Sequence, residues 1–393
     1  VIKAEKYLAV FICIAVCFQR LSMAAGSIFW GLSILTFLYL LYKNYKNKTL
    51  SNLKNNYVGY YKAFAIFALC ALPAVFVSGD FEESLHKFLE MYLYRVVPFF
   101  MVTLFLKDKK WVRNIFLIFI AATSIDSLVA AGQLLLGYGN RGWGFGGHTL
   151  NLASLLCVLL PILLVVLLDD NFTHKTKNIC KVAVLCCVVG VLAGKSRGAW
   201  LTLGIVLPLI SYFYIKNSKK VMIYALIICS IIISFFVVSD TYRARIVSTV
   251  NVTTDYSNID RLLIWESSID MIKDYPFFGV GLDQFKDVYE SGYRNPRHKQ
   301  DLPHTHNNVI QITTESGFVG LFGFLYLACY IFFKNFNEWR KTKNPYSLML
   351  WGAWLGFMSF GMFDVTIDHS AITKAMWFLF GCILVFKNKD YYI

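Results

Sequence analysis

The sequence is short of charge. Asp, Glu, Lys and Arg make up 16% of its 393 residues, where a soluble domain carries about 25%. Acids are the scarcest, with 24 Asp and Glu against 38 Lys and Arg. Apolar residues fill the gap: 57% of the chain is hydrophobic and the mean hydropathy is +0.54. Cysteine is missing from the polar parts. Cys13, Cys17, Cys70, Cys157, Cys180, Cys186, Cys187, Cys229, Cys329 and Cys382 all lie in or beside apolar runs. That excludes a disulfide framework and a cysteine-based metal site, and reads the thiols as small buried hydrophobes. The sequence shows no internal repeat, no low-complexity tract and no separate soluble domain. No cleavable signal is expected, because the first apolar run leads into further runs rather than into a small-residue cleavage site.

What is present is a series of apolar runs near the ~20 residues that cross a bilayer. Twelve are counted: 7–24, 27–42, 60–77, 88–106, 111–132, 149–168, 178–194, 198–215, 221–239, 308–333, 346–363 and 370–387. The expected fold is an all-α polytopic membrane protein of about 12 transmembrane helices, with the first pair as a tight hairpin. The parts are 1–239 (spans one to nine), 240–306 (a long helical outer-face loop) and 307–393 (spans ten to twelve).

The net charge of +14 follows from topology. With the N-terminus inside, Lys43, Lys46, Lys48, Lys109, Lys110, Lys175, Lys177, Lys219, Lys220, Arg340, Lys341 and Lys387 all fall on the inner side. This is the positive-inside pattern for a chain with both ends in the cytoplasm, and it needs no nucleic-acid partner. The 240–306 loop then faces outward.

Few charges remain on the outer side, and an ionisable group in or near the bilayer is a functional candidate by default. Arg95 precedes Val97-Pro98 inside the fourth run; the alternative is a cation that snorkels or pairs with Glu90. Lys195 and Arg197 lie in the tight turn Gly194-Lys195-Ser196-Arg197-Gly198, where glycines let a ligand approach the backbone. Arg141 sits in a Gly-rich loop, 137–147, with aromatic neighbours suited to sugars. That loop has neither P-loop nor dinucleotide spacing. Asp364, Asp368 and His369 read as an exposed polar turn rather than as substrate contacts.

Within 240–306, Leu262, Trp265, Ile269 and Ile272 recur at helical spacing. Asn258 or Asp260 is the expected N-cap, which puts Arg261 in the first turn. Free N–H groups there and a bidentate guanidinium suit a phosphate, against a surface pair with Asp255 or Asp260. Tyr275-Pro276 ends the helix, the 277–281 segment reads as a buried Gly turn, and Asp283-Gln284-Phe285 opens a second short helix. His304 and His306 have metal-like HxH spacing but no carboxylate or thiol at convincing spacing, so no metal is inferred. Asn307 onward reads as the helix of the tenth span. His306 then sits at its N-terminal end, where the dipole favours the neutral ring that takes a proton.

Three phrases carry a resemblance. Arg261-Leu262-Leu263-Ile264-Trp265, the 274–281 phrase Asp-Tyr-Pro-Phe-Phe-Gly-Val-Gly, and His306-Asn307 followed by Glu315-Ser316-Gly317 resemble the O-antigen ligase/polymerase superfamily. The 195–198 turn resembles that family's arginine turn. His306 keeps the family's spacing to a glycine eleven residues on, Gly317, and His304 does not. The resemblance implies a metal-independent, cofactor-free glycosyltransferase similar to GT-C enzymes at the periplasmic face of the inner membrane. Its donor would be a polysaccharide on undecaprenyl diphosphate and its acceptor a sugar hydroxyl of lipid A–core. His306 would be the general base, and Arg197 and Arg261 the catalytic diphosphate ligands. Arg95, Lys195, Arg141, His304, Asn307 and Glu315 would contact substrate. The protein would act as a monomer among membrane lipid.

A polymerase that extends the carrier-linked glycan is the nearest alternative, although many have two sizeable outer loops and this chain has one. A protein O-oligosaccharyltransferase is third. A transporter would place its charges and broken helices at mid-membrane, whereas these cluster at the outer face.

Overall fold

A computed structural model describes residues 2–48, 57–106, 108–214, 242–244, 247, 255–298 and 304–387. Among these the chain is all helical. In order, the helices are α1 (Ile2–Leu21), α2 (Met23–Lys46), α3 (Val58–Val77), α4 (Phe81–Leu89), α5 (Val97–Phe105), α6 (Lys109–Leu135), α7 (Thr149–Leu168), α8 (His174–Gly194), α9 (Arg197–Tyr214), α10 (Tyr256–Asp274), α11 (Phe285–Val288), α12 (Asn308–Thr342), α13 (Pro345–Phe360) and α14 (Ser370–Lys387). Eleven of the twelve expected spans fall on helices. The ninth, 221–239, lies outside the described residues, as does most of 240–254. Among the described residues, eight helical stretches are long and apolar enough to cross a bilayer, and α1, α9 and α13 fall short of that measure. The protein is a polytopic helical membrane protein.

Packing follows the apolar pattern. Helix α7 is apolar on every side, and 78% of its span is buried among α8, α9, α13 and α14. Helix α2 is buried over only 28% and lies at the rim against α1. Ser22 separates this first hairpin and caps α2 through its side chain, while Trp30 Nε1 donates to Gln19 Oε1 at 3.0 Å across it. Helix α14 packs on α5, α6, α7 and α13.

The turns at one end touch one another. Gly142 N donates to Ala193 O, Ser84 Oγ to Leu282 O, and Arg95 Nη1 to Ile367 O. At the other end Tyr57 donates to Leu384 O, Tyr214 to Asp169, and Lys387 pairs with Glu338. The described helices alternate between these two ends, and Lys177, Lys341 and Lys387 lie at the second.

Two interruptions position the site. A π-helical turn, Glu90–Tyr94, breaks the α4–α5 helix just before Arg95. Helix α12 is broken at Gly317, with φ 63° and ψ −168°, backbone that side-chain-bearing residues rarely adopt. The backbone groups freed there are taken up by the turn after α10. Val280 N donates to Thr314 O (3.0 Å) and Gly281 N to Glu315 O (3.0 Å), while Phe318 N donates to Pro276 O (2.8 Å) and Val319 N to Phe277 O (3.2 Å). A polar backbone opened within an apolar layer must be paired like this. Only half of the 277–281 turn is buried as expected: Gly279, Val280 and Gly281 are, but Phe277 and Phe278 are exposed.

Candidate active site

The site grows from the N-terminus of α12. Asn307 is its N-cap, its Oδ1 accepting from Val309 N and Ile310 N. That role, with 4% exposure, leaves little of the amide for the substrate contact expected of it. His306, one residue earlier, has φ 54°, an uncommon conformation outside glycine that is found at sites where the surroundings enforce it. The segment is held from the side by α10, where Trp265 Nε1 donates to Thr305 O at 2.7 Å.

Asn308 adds a clamp. Its Nδ2 donates to Thr366 Oγ1 (2.8 Å), its Oδ1 accepts from Ile367 N (3.2 Å), and its own N–H donates to Gly361 O (2.7 Å). These bonds pull the 361–369 turn against the histidines. Asp364 is therefore fully buried rather than part of an exposed turn, which corrects the sequence expectation. Its Oδ1 lies 3.1 Å from His306 Nδ1. An ionised carboxylate only accepts, so Nδ1 carries the proton and Nε2 is left as the proton acceptor. His369 Nε2 stands 3.5 Å from Asp364 Oδ2, long for a hydrogen bond. Burial alone would raise the Asp364 carboxyl, but the hydrogen bond from His306 and the nearby His369 outweigh it and hold the group well below the usual carboxylate range.

His304 meets His306 edge-on, with ring centroids 4.3 Å apart. Burial, then the neighbouring His306, lowers its pKa to about 4, so the ring is neutral. Asp364 completes a set of three potential metal donors with the two histidines. The HxH pair thus gains from the fold the carboxylate that spacing along the chain did not offer.

The cations are arranged around this centre. Arg197 opens α9 and pairs with Asp255 at 3.3 Å. Asp255 is also the observed N-cap of α10, in place of Asn258 or Asp260, its side chain accepting from Asn258 N. The helix starts at Tyr256, so Arg261 lies past the first turn and outside the reach of the terminal N–H groups. Asp255 is taken up by Arg197, and Arg261 has no hydrogen-bond or ion-pair partner among the described residues. Burial is the main influence that lowers its pKa, followed by the opposing Asp364 and then by Arg197. A half-buried guanidinium not hydrogen-bonded to a described carboxylate is prepared for an anion from outside.

The other candidates divide. Lys195, at φ 46°, lies over the Tyr242 ring at 5.1 Å. Arg141 Nε donates to Gly194 O at 2.9 Å, tying the Gly-rich loop to the arginine turn. Arg95 is 3% exposed and locked between Glu90 (2.9 Å) and Asp368 (3.4 Å). This is the pairing alternative realised, with Asp368 added. Glu315 is 7% exposed and accepts from Gln311 Nε2 at 2.9 Å, below the surface at the α12 break. Sequence reasoning missed the roles of Asp364, Asn308 and His148. His148 ends the Gly-rich loop and caps α7. Its pKa is lowered first by burial, and the charges of Asp364, His369, Arg141 and His306 reach it.

Residues 182–325 match the model of the family described as O-Antigen ligase. The matched segment holds Arg197, Arg261, His306 and Gly317. The chain is also similar to two Rickettsia proteins provisionally named polysaccharide ligases. The Rickettsia conorii protein is 28% identical over 176 residues, 42% of each chain. The Rickettsia felis protein is 28% identical over 171 residues, 41% of this chain and 42% of the relative. These matches span less than half the length of either relative. They bear out the resemblance to the O-antigen ligase superfamily.

Proposed function

We propose that the protein transfers a polysaccharide from undecaprenyl diphosphate to a sugar hydroxyl, with lipid A–core as acceptor, at the periplasmic face of the inner membrane. The observation that carries this reading is the His306–Asp364 pair, set beside Arg197 and Arg261, which has no ion-pair partner among the described residues, at one end of a membrane bundle. Both arginines and the histidine lie in the segment matched to O-Antigen ligases.

The chemistry follows from these groups. Asp364 holds the His306 ring through Nδ1–H, so that Nε2 is left to accept a proton. The acceptor hydroxyl gives its proton to Nε2, and its oxygen forms a bond to the anomeric carbon. The bond from that carbon to the diphosphate oxygen breaks, and the electron pair leaves with the diphosphate. Arg261 and Arg197 stabilise that growing negative charge where water is scarce. Attack opposite the leaving group inverts the anomeric centre. The polyprenyl tail rests among lipids beside the bundle, as in GT-C enzymes.

The distinguishing experiment mixes purified protein with carrier-linked glycan and lipid A–core. Product on the core, without longer carrier-linked chains, is the expected result. Lengthened carrier-linked chains with the core untouched would make it a polymerase.

A further inference from the structure

His304, His306 and Asp364 each offer one donor atom, and the three atoms lie within 4.8 Å of one another. Zinc takes histidine nitrogen and carboxylate oxygen at about 2.0–2.2 Å, so donors round one ion sit roughly 3.3 Å apart. The cluster needs to close by at most about 1.5 Å on its longest edge. A second observation points the same way. His304 Nδ1 is buried and has no hydrogen-bond partner among the described residues. Leaving such a group unpaired is unfavourable, a cost that ligation removes. Asp364 Oδ2 is likewise buried and unbonded, with His369 Nε2 3.5 Å away as a fourth donor. Neutral imidazoles with one carboxylate suit zinc-like divalent transition metals, and they suit magnesium or calcium poorly.

We propose that His304, His306 and Asp364, with His369, form a site for a zinc-like divalent transition metal, and that occupancy stops transfer by capturing His306. The inhibitory half rests on the reading of His306 as the base; the binding half does not. Arg261 feels the Asp364 charge and opposes a second cation. Micromolar affinity is therefore expected rather than the tight binding of a structural zinc. The ion acts here as an outer-face brake.

The test uses the protein free of any polyhistidine tag, in lipid nanodiscs, titrated with Co²⁺ as a spectroscopic probe. The expected result is one saturable equivalent with the intense visible bands of a tetrahedral site, displaced by Zn²⁺. His304→Ala and Asp364→Asn should each weaken binding at least tenfold while keeping the parent's elution volume and thermal unfolding midpoint. No saturable binding below about 1 mM Co²⁺, or parent-like binding by His304→Ala, overturns the site. If a variant misfolds, His369→Gln serves instead, and parent-like binding by it overturns the four-donor site. Full occupancy by Zn²⁺ with undiminished transfer overturns the brake alone. The base assignment fails separately, if His306→Ala transfers as well as the parent.

Discussion

A carboxylate with no exposure has to be held by its neighbours, and Asp364 is held by His306 at 3.1 Å. The pair sets which nitrogen of the base carries the proton, so its loss should act on kcat more than on substrate binding. Asp364→Asn is expected to lower kcat by about 10²-fold or more with KM little changed, read by initial rates over a range of acceptor concentration. An equal rise in KM with kcat preserved would show that Asp364 binds substrate instead. Arg261→Lys keeps the charge and loses the planar fork. It should cost roughly tenfold or more in kcat/KM, because a phosphate held by two parallel N–H groups is not held by an ammonium.

Between elements, three segments meet on Asp368. Lys87 of α4 bridges Asp368 (2.7 Å) and Asp283 (2.8 Å), the latter on the turn after α10. Arg95 reaches the same carboxylate. Burial would raise the Asp368 pKa, but Lys87, then Arg95, lower it below the ordinary value. A depressed carboxyl contributes stability that is present above about pH 4 and is lost as pH falls further. Thermal unfolding should therefore show an acid-labile component below about pH 4 that Asp368→Asn removes. At pH 7 that variant should lose roughly 1–3 kcal/mol, less than for a lone buried pair, since each cation keeps a second carboxylate. Gly317→Ala should be worse. Its φ is 63°, and an added Cβ would overlap the Phe277 carbonyl. A loss of about 2 kcal/mol or more and a broadened elution profile are expected, whereas Gly292→Ala, which meets nothing within 4 Å, should be silent. These junctions explain what the sequence hid. The amphipathic face around Trp265 and the His306–Gly317 spacing are local patterns and were legible. Asp364 acts on a histidine 58 positions away only because Asn308 folds its turn inward. The opening of α12 depends on a turn from another element to satisfy it, and no periodicity records either fact.

At the scale of the whole molecule, eleven apolar runs became helices because a run near 20 residues must satisfy its backbone internally in lipid. Their alternation collects Arg197, Arg261, His306 and Asp364 at one end, and Lys177, Lys341 and Lys387 at the other. If that first end faces outward, single cysteines at Gly139 or Gly292, in a variant lacking the native thiols, should react with a membrane-impermeant maleimide on intact spheroplasts. One at Asn344 should react only after lysis. The reverse pattern would invert the topology and remove the outer-face chemistry. The most direct test of the account is the transfer reaction itself, run with purified parent and His306→Ala on carrier-linked glycan and lipid A–core. Product on the core with the parent and a loss of at least about 10²-fold in the variant are expected. Equal product from both would contradict it.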